Sequence, residues 1–289
     1  MLGRKREGSV VCPSCGNLVG VNDDECLGCG RRNPGLWGFA PLLAKFGRGR
    51  LDEAFPQFII VVCVILFAAT LVSNVQGIRM SGLMSFLSPS RLGLIMFGAS
   101  GATTVYDFGW WWTILSASWL HGGLIHIFFN MYWVRMIGPN VIEFYGLSRM
   151  VIIYTLAGAA GFLLTSTVGH YMRFGLFFLQ GAGDITIGAS ASILGLIGAL
   201  VYYGRRSGSS MVGQQAKQWA IFLLLFGLFF PGVDNWAHLG GFAGGYLASA
   251  WLDPLKQERL DHSLGALACL VLTLVAIGLS VFNTLRALA

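Results

Sequence analysis

The chain has 289 residues, 55% of them apolar and only 11% charged, with 40 glycines. A soluble domain could not hide that much apolar surface from water, so the composition describes an all-α polytopic membrane protein. The 19 Lys and Arg against 13 Asp and Glu give a formal net charge of +6, but the cations cluster at the N-terminus and in short loops, which argues against a nucleic-acid surface.

Residues 1–33 carry four of the six cysteines, in Cys12-Pro13-Ser14-Cys15-Gly16 and Cys26-Leu27-Gly28-Cys29-Gly30. Each Cys-x-x-Cys-Gly makes a tight turn in which backbone amides approach the thiolates, so Cys12, Cys15, Cys26 and Cys29 present four sulfurs to one tetrahedral ion. So short a segment cannot bury a core, and metal ligation must supply its folding free energy. A reducing cytosol disfavours disulfides, which makes structural Zn2+ the expected ion, with iron or a redox pair as alternatives. Four thiolates leave the metal no open position. The segment therefore resembles a zinc ribbon and reads as a cytoplasmic docking or regulatory module for a cytosolic partner, with no role in catalysis. Cys63 and Cys269 stand alone in apolar spans and read as packing residues.

Residues 34–54 form a linker containing Pro34, Gly35 and Pro41 with several cations, including Lys45, Arg48 and Arg50. Such a mix serves either as a tether or as a segment lying on anionic lipid. Apolar runs long enough to cross a bilayer follow at roughly 56–75, 117–137, 150–169, 185–203, 217–232, 235–252 and 264–284. With the N-terminus inside, only Arg79, Arg91, Arg173 and Arg286 of the 19 cations fall outside, so the positive-inside rule puts the N-terminus in the cytosol and the C-terminus out. The basic, polar opening residues lack an apolar signal-peptide core, and no cleavable signal is expected.

The first outer loop, 76–116, is long and still rich in Leu, Phe, Met and Trp, so it is expected to lie in the membrane interface. Trp110, Trp111, Trp112 and Trp119 read as its aromatic belt. In the second span, His126 and Asn130 are one helical turn apart and share a face. Polar side chains in lipid face the bundle interior, where these two serve either as interhelical glue or as site groups. His121 and His126, five apart on a helix, would diverge, which disfavours a metal site between them. Gly138-Pro139-Asn140 is expected to break this helix. His170 reads as a solvated loop residue.

The fourth span opens on Gly188-Ala189-Ser190-Ala191-Ser192. A serine framed by small residues at a helix start sits uncrowded where backbone N–H dipoles converge, though helix capping or packing would use the same residue. Ala191, Gly195, Gly198 and Ala199 then give this span a smooth side. The sixth span begins Trp236-Ala237-His238-Leu239-Gly240-Gly241 and carries His238, Gly241 and Gly245 on one face. The two smooth faces are mates, and close Gly-to-Gly packing brings His238 to Ser190 at matching depth near the outer side. Hydroxyl, imidazole and the His126/Asn130 pair compose a hydrolase site: nucleophile, base and oxyanion donors. No carboxylate within the spans is placed to orient the base, so a dyad is implied rather than a triad.

The GASA, AHLGGFAGG and HGGLIHIFFNM segments resemble the GxS, AHxxGxxxG and HxxxN signatures of the rhomboid intramembrane serine proteases, in the same order, across residues 55–255. The resemblance implies Ser190 as nucleophile, His238 as general base, His126 and Asn130 as the oxyanion hole, and His121 and Gly188 lining the site. It further implies a six-helix bundle with a water-filled cavity open to the outer side, acting on transmembrane protein substrates within the lipid bilayer. Residues 55–255 would be the membrane domain, and residues 256–289 an additional transmembrane helix, in a multi-pass protein of the plasma (inner) membrane. Three positions depart from the pattern: Ala191 replaces a frequent glycine, Leu194 stands where some members place an aromatic, and Trp112-Thr113 replaces a Trp-Arg pair. A noncatalytic adaptor or chaperone for membrane helices is the alternative reading.

Overall fold

The computed structural model describes residues 5–40, 51–80, 82, 86–172, 183–230 and 232–289. Arg4, the linker's Pro41, Lys45, Arg48 and Arg50, the outer-loop Arg173 and Pro231 lie outside the described residues.

The N-terminal segment folds as an antiparallel hairpin, β1 (Ser9–Val11) and β2 (Leu18–Gly20), with Ser9 opposite Gly20 and Val11 opposite Leu18. Val10, Val19 and Val21 make its small core together with the buried Cys12 and Cys26. That core is too small to stabilise a fold alone.

The remainder is helical: α1 (Leu51–Ser73), the short α2 (Arg91–Met96) and α3 (Thr113–Ser116), then α4 (Leu124–Tyr145), α5 (Leu147–Tyr171), α6 (Ser190–Ser207), α7 (Ser210–Phe229), α8 (Asn235–Leu252) and α9 (Leu260–Leu288). By length and apolarity alone, Ala54–Ser73, Leu147–Tyr171 and Leu260–Leu288 qualify as membrane-crossing. The protein is a polytopic helical membrane protein.

Helices α5, α6 and α8 form the centre, and glycine brings them together. A methyl group at Gly245 would fall 2.1 Å from the Gly195 carbonyl oxygen, one at Gly198 2.4 Å from that of Phe242, and one at Gly161 2.5 Å from that of Ala237. Lipid offers helices no hydrophobic drive to associate, so such backbone-to-backbone contact supplies the van der Waals attraction that holds them. Between α4 and α7 the seam is aromatic instead: Phe129 stacks on Phe226 at 5.1 Å, and Trp133 meets Trp219 edge-on at 6.2 Å.

At the other end of α5, Arg149 is 1% exposed. It donates to the carbonyls of Asp253 (3.2 Å) and Gln257 and to His262 Nδ1 (3.2 Å). Glu258 accepts from the Ser148 and Arg149 amides, capping the α5 N-terminus. Helix α9 is thereby strapped to α5, and it reaches the loop after α1 through Trp112 Nε1, which donates to Ser280 Oγ at 3.0 Å.

Several expectations are corrected. The second span starts at Leu124 rather than 117: residues 117–119 form a single tight turn, and Gly123, nearly fully extended (φ 166°), interrupts the chain. Pro139 does not break α4. It deletes only one backbone donor, Asn140 donates its side-chain amide to the Met136 carbonyl (3.0 Å), and Gly138 seats against the Pro56 ring. Trp119 leaves the proposed belt for the core, 3% exposed against Phe58 and Tyr154. His170 belongs to α5 and stacks on Tyr106 at 4.4 Å.

Candidate active site

The serine is presented by a short extended segment. Thr186 and Ser100 exchange backbone hydrogen bonds (2.6 and 3.2 Å), pinning this segment to the loop that contains Ser100, and the Gly188 amide donates to the Ala117 carbonyl at 3.0 Å. Gly188 then adopts φ +129°, a conformation that side chains disfavour. Helix α6 starts immediately, with Ser190 as its first residue, half-buried, so its hydroxyl lies at the positive end of the helix. Ser192 is engaged elsewhere: its hydroxyl pairs with Ser118 Oγ at 3.0 Å beside Gly158.

His238 stands in the first turn of α8. Asp234 caps that helix, accepting from the Ala237 amide at 2.9 Å, and its carbonyl receives the His238 amide at 3.1 Å. The imidazole is 4% exposed, and its Nδ1 has no hydrogen-bond partner among the described residues. Gly241, three residues on, lies against the backbone of Ala191, the neighbour of Ser190. Serine and histidine therefore occupy the same level of two touching helices.

His126 projects from the first turn of α4. The Gly122 amide donates to its Nδ1 at 3.2 Å, so in the neutral ring the proton belongs to Nε2. That Nε2 and the Ser190 hydroxyl converge on Gly188: a methyl group there would sit 2.8 Å from the one and 3.7 Å from the other. Asn130 is buried, with Nδ2 donating to the His126 carbonyl at 2.8 Å and Oδ1 without a partner among the described residues. His121 is fully buried, and its ring lies 5.2 Å from that of His126. The divergence expected of the two histidines fails because His121 precedes the helix, so helical spacing does not govern it.

Residues absent from the sequence reading also converge here. Asp234 carries a helix-start signal, Asp before Asn-Trp-Ala, that marks it as a cap; Ser118 carries no comparable signal and is found only through folding.

Away from the bundle, the four cysteine sulfurs of Cys12, Cys15, Cys26 and Cys29 lie within 4.8 Å of one another. Cys12 and Cys29 are 3.8 Å apart, Cys15 and Cys26 3.5 Å. Backbone amides of Asn17, Gly28 and Arg31 lie near the sulfurs of Cys15, Cys26 and Cys29. A tetrahedral ion with bonds of about 2.3 Å separates its sulfurs by about 3.8 Å, so this donor set fits one metal ion.

The Rhomboid domain family model matches residues 109–254. The chain is 32% identical over 165 residues to RHOMBOID-like protein 4 of Arabidopsis thaliana, covering 56% of this chain and 39% of that one. It is 30% identical over 188 residues to Rhomboid protease GluP of Bacillus subtilis (strain 168), covering 64% and 34%. It is also 28% identical over 211 residues to Inactive RHOMBOID-like protein 8 of Arabidopsis thaliana, covering 66% and 57%. The matched stretch thus spans between a third and somewhat over half of these relatives' lengths. With half of its length matched by the family and the helices that carry Ser190, His238 and His126 inside that match, the chain belongs to the rhomboid family.

Proposed function

We propose that this protein is an intramembrane serine endopeptidase that cuts transmembrane protein substrates with a Ser190–His238 dyad. The observation that supports this most is the convergence of Ser190 Oγ and His126 Nε2 on the one site where Gly188 leaves no side chain. In this reading His238 takes the hydroxyl proton as Ser190 Oγ attacks the scissile carbonyl. The developing oxyanion is held by the His126 Nε2–H, by Asn130 and by the free amides at the start of α6. His238 then returns its proton to the leaving amine, and water, deprotonated by the same imidazole, releases the acyl group. The unpartnered Nδ1 leaves the base without a carboxylate, consistent with a dyad.

Hydrolysis needs water, so the site would open to the outer side, with the N-terminus cytoplasmic and the protein in the plasma (inner) membrane. The cysteine quartet would hold structural Zn2+, which supplies folding free energy and no catalytic step. The segment it organises would recruit a cytosolic partner. A noncatalytic helix-binding adaptor is the second reading, favoured by the likeness to a relative named as inactive. The presence of both Ser190 and His238 supports the protease.

Labelling the purified protein with a serine-reactive phosphonate and mapping the adduct tests the assignment. The adduct should lie on Ser190 and disappear in His238→Ala; an unlabelled protein, or an adduct elsewhere, would overturn it.

A further inference from the structure

The geometry points to Asp234 as a positioning residue that locks the serine-bearing and histidine-bearing segments into one register. This inference rests on the proposed roles of Ser190 and His238.

Two pieces of chain meet at this carboxylate, and a third is tied to them through Ser100. From α8, the Ala237 amide donates to Oδ1 at 2.9 Å. From α5, Thr165 Oγ1 donates to Oδ2 at 2.6 Å. The segment leading into α6 joins through Thr186 and the loop residue Ser100. Thr186 is four residues before Ser190, and its backbone is paired with Ser100. Ser100 Oγ in turn meets Ser166 (3.5 Å) and Thr113 (3.4 Å), so the loop that contains Ser100 belongs to the same polar knot. The Asp234 carbonyl, meanwhile, receives the His238 amide.

A carboxylate suits this place because it only accepts, and donors from two different helices converge on it. Thr165 and Ala237 are buried, so their donors have no ready water partner if the acceptor is lost, and the segments would separate to find other partners. Asp234 touches neither the scissile bond nor the serine. It sets where the hydroxyl and the imidazole stand relative to each other, and displacements of an ångström are costly in catalysis.

The test compares Asp234→Ala, Asp234→Asn and Thr165→Val in the purified full-length protein, with cleavage of a single-span reporter as the readout. Asp234→Ala should lower kcat roughly 10- to 100-fold, while KM stays within about twofold because no substrate contact is removed. Asp234→Asn keeps an accepting oxygen for the Ala237 amide and should restore most of kcat. Thr165→Val, which deletes one hydrogen bond at nearly constant volume, should fall between and serves if Asp234→Ala does not fold. Wild-type kcat per folded molecule in Asp234→Ala or Thr165→Val would overturn the proposal.

Amide hydrogen exchange across residues 186–190, measured in a Ser190→Ala background, separates this inference from the catalytic reading. Adding Asp234→Ala, or Thr165→Val, should speed exchange there whether or not the protein cleaves, and unchanged exchange would also overturn the positioning role. Absence of Ser190-dependent cleavage in the wild type would sink the protease reading alone.

Discussion

Gly241 of α8 rests directly on the backbone of Ala191 in α6: a methyl group at Gly241 would lie 2.1 Å from the Ala191 carbonyl oxygen and 3.0 Å from its Cα. Ala191 follows Ser190 and Gly241 lies one turn beyond His238, so this contact sets the separation of hydroxyl and imidazole. Gly241→Val should therefore force the helices apart, costing about 1–3 kcal/mol of stability and roughly a hundredfold in cleavage rate. Thermal unfolding in detergent and reporter cleavage, measured together, check this. A folded variant with wild-type cleavage would show that the register does not depend on the contact.

That contact was legible in the sequence, because Gly and Ala at helical spacing on two spans describe mating faces. So were the cysteine turns, whose chemistry is local. Helix boundaries were harder. The run from 117 to 137 is predominantly apolar, and hydropathy does not register the extended glycine that delays α4 to Leu124. Pro139 misled for the opposite reason, since its missing donor is tolerated inside a packed bundle. Arg149 reads as a loop cation until folding buries it against the strap that precedes α9. Asp234 illustrates the deeper limit: its cap role is written in its neighbours, but its partner Thr165 lies 69 residues away, and only the fold introduces it.

His126 offers a test of the oxyanion assignment. With Nδ1 accepting from the Gly122 amide, the ring presents a donor beside Ser190. His126→Leu should lower kcat by about 10²–10³ while leaving phosphonate labelling of Ser190 detectable. A variant that cleaves at the wild-type rate would assign the oxyanion to other donors.

The cysteine quartet makes a separable prediction. Metal analysis of purified protein should find one tightly bound zinc per chain, lost in Cys12→Ser. The hairpin should then become sensitive to protease while Ser190 labelling persists, because the metal supplies folding free energy to that segment only. Zinc-free protein with a protease-resistant hairpin would contradict this.

The strap before α9 should respond to acid. Partial burial tends to raise the Asp253 carboxyl, but the Leu255 amide, Arg206 (3.5 Å) and Lys256 (3.7 Å) outweigh it and hold the group below its ordinary 3.8. A depressed carboxylate contributes stability that is present above the unfolded value and fades as pH falls below it. Melting temperature followed from pH 7 to pH 3 should therefore drop more in the wild type than in Asp253→Asn, and parallel profiles would remove Asp253 from the strap. Arg149→Met, which removes the buried donor to the Asp253 and Gln257 carbonyls and to His262, should cost about 1–3 kcal/mol at pH 7.

The most direct measurement is cleavage itself: purified protein in bilayer vesicles with a reporter carrying one transmembrane segment, beside Ser190→Ala and His238→Ala. The account predicts a defined cut in or near the reporter's membrane segment by the wild type and none by either variant. Cleavage that survives the loss of the hydroxyl or the imidazole, or an inert wild type, would contradict it.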